Sequence, residues 1–106
     1  MAVDLPDVVD AISLHAPTDR IVLSLIDAWD WTDTPVHVRA LQAKLEAYIN
    51  FVVDKQLVEV YPLAIGRQVV IEVWTKYAMS SAGEALLSAA SQVCIVHSIE
   101  LRDSVA

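Results

Sequence analysis

The chain has 106 residues, with 7 Lys and Arg against 14 Asp and Glu, a net charge of −7 and 56% hydrophobic residues. That is the length of a single domain, and it is too apolar for a disordered chain. With only 2 Gly and 1 Cys, a disulfide scaffold, a cysteine-rich zinc module and a glycine-rich phosphate cradle are excluded.

Val8 to Leu14 reads as a first strand, with Val9, Ala11 and Ser13 on one face and Asp10, Ile12 and Leu14 on the other. Pro17-Thr18-Asp19 supplies a turn, and the β-branched run Ile21 to Ile26 completes a hairpin. Asp33-Thr34-Pro35 is a helix start, because Asp33 or Thr34 can cap the free N–H groups and Pro suits the first turn. Val38, Leu41, Leu45, Tyr48 and Val52 then form one apolar stripe, which predicts a helix from Pro35 to Asp54. Arg39, Gln42, Lys44 and Glu46 fall mostly outside it. Lys55 to Ile65 fits either a short helical turn or a loop, and Tyr61-Pro62 ends regular structure.

Gly66-Arg67 opens a strand over Gln68 to Lys76. Ser81-Ala82-Gly83-Glu84 has the spacing of a capping box and starts a helix over Ala82 to His97. Its expected main stripe is Ala85, Leu86, Ala89, Val93 and Val96, and Leu87, Ala90 and Cys94 spread apolar character further round. Ile99 to Val105 is a last strand.

The order ββαβαβ makes an α+β two-layer sandwich, a four-stranded mixed sheet with two helices on one face. One domain is expected over residues 7–105, with a flexible tail over 1–6. The helices leave the other sheet face open, and some of Val22, Ser24, Ile26, Val70, Glu72 and Trp74 are expected on it. An open apolar face implies a protein partner, most simply a second copy in a two-fold dimer.

Charge narrows the partners. Residues 1–33 hold seven Asp against Arg20 alone, and no Lys/Arg cluster exists to displace counterions from nucleic acid or to meet an anionic membrane. A basic protein would be attracted. Met1 to Asp7 has neither the basic nor the apolar region of a secretory signal. A lone Cys94 in an apolar segment reads as a small buried hydrophobe and points to a reducing, cytoplasmic compartment.

Val8-Val9-Asp10-Ala11-Ile12, Ile21 to Trp31, Leu41 to Leu45 with Ala47-Tyr48, Gly66 to Val73 and Ile99-Glu100-Leu101-Arg102 together carry a resemblance. In these stretches the chain resembles a family of small bacterial proteins of unassigned function. The resemblance implies a self-contained bacterial domain and no chemistry.

Among residues with chemical potential, Asp27, Asp30, Asp33 and His37 have spacings of three, three and four, and would form a hard-cation site if helical. The competing reading is an acidic connection that ends in a helix cap. Trp29 and Trp31 are either a recognition patch or a lid on the core. His15, His37 and His97 lie near element ends, where capping or surface roles are expected. Tyr48, Asn50, Tyr61, Arg67 and Lys76 would line a small polar pocket if they converged. No catalytic residue and no cofactor is assigned, because no nucleophile elbow or other catalytic signature is present.

The favoured reading is a non-enzymatic interaction module that self-associates through Val22, Ile26, Trp29, Trp31, Val70 and Trp74. The alternatives are a metal-dependent hydrolase built on Asp27, Asp30, Asp33 and His37, and a small-ligand-binding domain.

Overall fold

The apolar runs at residues 21–25 and 69–73 sit side by side at the centre of a four-stranded sheet, where β-branched side chains pack well. The computed structural model describes residues 9–105, so the expected tail over 1–6 and the strand start at Val8 lie outside the described residues. The strands are β1 (Ala11–His15), β2 (Arg20–Asp27), β3 (Val69–Thr75) and β4 (Ile99–Val105), paired in the order β1-β2-β3-β4. The hairpin pair β1/β2 is antiparallel, and both crossover pairs are parallel. The helices are α1 (Thr34–Val53), the single-turn α2 (Gln56–Val60) and α3 (Ser81–Val96), with a 3-10 turn at Pro62–Ala64. The ambiguous stretch Lys55 to Ile65 therefore adds a third helix to the two expected.

The caps are local and specific. Asp33 accepts from Val36 N–H at 3.4 Å, and Pro35 occupies the first turn of α1. At α3 the cap is one residue earlier than the capping-box spacing implies. Ser80, in extended conformation, accepts from Gly83 N–H at 3.1 Å, and Ser81 is already helical.

Strand alternation sorts the sheet residues. Ile21, Leu23 and Leu25 of β2 and Val69, Ile71 and Val73 of β3 join one core cluster with Leu41, Leu45, Tyr48 and Ile49 of α1, and with Leu87 and Cys94 of α3. Burial pushes the Cys94 thiol pKa up, as expected of a packed hydrophobe.

Three expectations change here. Lys44, placed outside the apolar stripe by the sequence, is 0% exposed. His37 is buried as well, so a capping or surface role does not describe it. On α3 the expected stripe is turned the wrong way, for Ala85, Ala89, Val93 and Val96 are exposed while Gly83, Leu87 and Cys94 are buried. That helix is apolar nearly all round, so periodicity alone does not choose its inner face.

Gly83 belongs inside for a steric reason. A Cβ added there would lie 2.7 Å from Trp31 Cη2 and would overlap the side chain of Met79. Helix propensity favours Ala over Gly by about 1 kcal/mol, but overpacking costs about 1–3 kcal/mol. Gly83→Ala is expected to lower stability in urea unfolding, and a stabilised variant would show that Trp31 does not press on α3.

Candidate functional site

The carboxyl end of β2 concentrates the buried polar chemistry of this domain. Asp27, the last residue of β2, points to the helix side and is 1% exposed. Its Oδ2 lies 2.5 Å from His37 Nε2, on the first turn of α1, and its Oδ1 accepts from Trp29 N–H at 3.1 Å. His37 Nδ1 is 2.9 Å from the Asp30 carbonyl, which can only accept, so Nδ1 carries a hydrogen. A further proton sits between Nε2 and the Asp27 carboxylate. Trp31 stacks on the imidazole with centroids 3.7 Å apart, and Trp29 meets it edge-on at 5.6 Å. One histidine thus ties β2, the β2–α1 loop and α1 together.

A second buried pair lies one strand residue back. Lys44 Nζ donates to Asp10 Oδ1 at 2.9 Å, and Asp10 Oδ2 accepts from Ile26 N–H at 2.8 Å. The Tyr48 hydroxyl donates to the Ser24 carbonyl at 2.7 Å and accepts from Asp10 N–H at 2.8 Å. Burial pushes the Tyr48 pKa up, beyond the ordinary phenol value. The sequence offered a signal for the burial of His37 and Lys44, though not for their partners. His37, Leu41, Lys44 and Tyr48 follow steps of four, three and four, which is one helix face.

Outside these pairs the loop is acidic. Asp30 accepts from Thr32 N–H at 3.0 Å, and the Thr32 side-chain and backbone bonds hold its carboxyl below the ordinary carboxylate value. Asp33 caps α1. Asp27, Asp30, Asp33 and His37 therefore do not converge as a ligand set. Among the described residues no group of three or more His, Cys, Asp or Glu side chains is placed to hold a metal ion.

Two open hollows flank Ala28. One, of about 400 Å3, is lined by Trp29, Asp30, Asp33, Val36 and Tyr77. The other, of about 460 Å3, is lined by Ala11, Ser24, Ile26, Trp74 and Lys76. Ile26 and Trp74 are register partners on the face away from the helices, 39% and 36% exposed. Tyr77 was not singled out from the sequence, because its position beside the loop depends on the β3–α3 connection.

The rest of that sheet face is covered by charge. Arg20 reaches Glu100, two strands away, at 3.5 Å, and in doing so crosses β3. Arg102 pairs with Glu72 at 2.7 Å and with Glu100 at 3.7 Å. Beneath this network Val70 is 0% exposed and its neighbour Val22 is 9% exposed. Val22 and Val70 therefore lie opposite the helices, as expected, but offer a partner almost no surface. Trp31 is spent in the stack on His37, and its buried Nε1 has no hydrogen-bond partner among the described residues.

The pocket imagined around Tyr48, Asn50, Tyr61, Arg67 and Lys76 does not form. Tyr48 is sealed in the core, Asn50 borders a groove between α1 and α3, and Arg67 pairs with Asp19 at 2.8 Å. His15 faces Thr18 at 2.8 Å, and His97 ends α3.

A family model spanning residues 1–106 matches this sequence. The chain belongs to DUF6572, a family of unknown function. No curated protein and no solved structure matches it. Membership in DUF6572 brings no chemistry with it, so function has to be argued from the site residues. No helix among the described residues is long and apolar enough to cross a membrane.

The two roles of His37 are separable by mutation. His37→Phe keeps a ring between the tryptophans but leaves the buried Asp27 Oδ2 without its hydrogen-bond partner. Leaving a buried polar group unsatisfied costs roughly 1–3 kcal/mol. Urea unfolding of His37→Phe is expected to show a loss of that order. A variant as stable as the parent would mean that stacking alone holds the loop.

Proposed function

We propose that this DUF6572 chain is a protein-interaction domain that self-associates and that docks a partner carrying basic and apolar side chains. The observation that carries the docking reading is the uncovered aromatic end of the sheet. Ile26, Trp74, Trp29, Val36 and Tyr77 surround Ala28, and Asp30 and Asp33 stand at the margin. Aromatic anchors within a polar rim are the usual anatomy of a protein interface. The net charge of −7 and the two exposed carboxylates favour Lys or Arg on the partner.

The buried chemistry supports a binding role over a catalytic one. His37 borders the loop hollow but is 1% exposed, and both of its ring nitrogens are engaged within the chain, so neither is free to take a proton from a bound molecule. A general base must come within hydrogen-bond reach of the proton it takes. The pair instead fixes the loop that displays Trp29, Asp30 and Asp33.

Selection of random displayed peptides on the immobilised domain is the test. Enriched peptides are expected to place Lys or Arg beside an aromatic or long aliphatic residue. The double variant Asp30→Asn/Asp33→Asn keeps the local turn and cap bonds while removing both charges. Affinity should fall about tenfold in that variant and in Trp74→Ser, the equivalent of losing about 1.4 kcal/mol. Absence of enrichment, or equal affinity in the variants, would contradict the docking reading.

A further inference from the structure

Strand β4 ends the sheet, and no described strand pairs with its outer side. The space between β4 and α3 is also open, a groove of about 310 Å3 bordered by Ser88, Ser91, Leu101 and Arg102. An uncovered edge presents a row of backbone N–H and C=O groups that can template another strand. Natural edges resist this with charge, and β4 carries Glu100, Arg102 and Asp103. Those charges do not repel in every register.

Consider two copies of β4 running antiparallel about a two-fold axis. The residue on the axis faces itself, and residues equally far before and after it face each other. An axis at Glu100, Arg102 or Asp103 sets like charges face to face. An axis at Leu101 sets Leu101 against the partner's Leu101, and Glu100 against the partner's Arg102, twice. Directly opposed unlike charges stabilise a strand pair and like charges destabilise it. The other edge, β1, has no charged side chain from Ala11 to Leu14 with which to choose a register.

We propose that two copies of this chain join along β4, antiparallel about an axis at Leu101, merging their sheets into one. This rests on the reading of the domain as self-associating and supplies its surface and register. Glu100 and Arg102 keep their partners within the chain, Arg20 and Glu72, so each becomes part of a longer alternating row. The bare faces of both sheets then lie on one side, and each copy retains its own Ile26–Trp74 docking end.

Sedimentation of the full chain and cysteine cross-linking in a Cys94→Ala background test this together. A concentration-dependent dimer is expected. Under mild oxidation, Leu101→Cys should cross-link to itself. An equimolar mixture of Glu100→Cys and Arg102→Cys should cross-link between the two variants at least about tenfold faster than either alone. The mixed pair retains one of the two Glu100–Arg102 contacts and does not depend on Leu101 folding normally as cysteine. Asp103→Cys should not react with itself, because the two copies of that residue would stand about 13 Å apart along the strands.

A monomer across the accessible concentration range would overturn the proposal. So would self-cross-linking that peaks at Arg102→Cys, at Asp103→Cys or at Val93→Cys on α3. Trp74→Ser should leave the dimer intact, so unchanged peptide binding in this variant with the dimer retained would remove only the docking reading.

Discussion

The buried contact between Asp27 and His37 is the constraint on which the display end of this domain depends. It joins the last residue of a central strand to the first turn of the longest helix. Polar groups are costly to remove from water, and such a pair persists only when its remaining hydrogen-bonding capacity is met. Here the Trp29 N–H and the Asp30 carbonyl meet it, so the loop backbone is part of the pair. Trp31 then covers the imidazole, and close approach of Gly83 lets α3 pack beneath that ring. The chain of contacts runs from one proton to the position of two helices. The loop that emerges from it leaves Asp30 and Asp33 exposed, with Trp29 half-buried against the core.

The second pair, Lys44 with Asp10, does parallel work on the same helix-covered side, toward β1. It ties α1 to the residues just before β1, while Tyr48 bonds the backbone of Asp10 and of Ser24. Buried polar couples of this kind are weak evidence for stability but can specify one arrangement among several apolar alternatives. In this domain they fix how α1 lies over the hairpin, which in turn fixes which side of β2 remains bare. On that bare side the Arg20, Glu72, Glu100 and Arg102 network divides the surface in two. One part is closed by charge over Val70, and the other is left apolar at Ile26 and Trp74.

Much of the architecture was legible in the residues. β-branched runs mark β2 and β3, Asp33 and Pro35 mark the start of α1, and two crossovers in succession put α1 and α3 on one face. The faces of β2 and β3 follow from alternation, which is why Ile26 and Trp74 were placed correctly. The burial of Val22 and Val70 was not legible, because it depends on an arginine that reaches across an intervening strand. Lys44 and Asp10 are 34 residues apart in sequence, and nothing local announces that they meet. The inner face of α3 was misassigned because alanines and valines surround that helix, and close approach at Gly83 decides the matter. The four candidate ligands Asp27, Asp30, Asp33 and His37 were read as a possible set from spacing alone. Spacing does not reveal that a strand end, a turn and a cap each claim one carboxylate.

The imidazole protons of His37 give the most direct access to this account. In a nitrogen–proton correlation spectrum of the histidine side chains, two ring N–H signals are expected for His37. Both should exchange slowly with water, and the one shared with Asp27 should lie far downfield. Asp27→Asn should remove the downfield signal while the Nδ1 signal and the backbone spectrum of the sheet stay largely in place. A His37 ring whose protons exchange as rapidly as those of His15 and His97 would contradict a buried, proton-sharing pair.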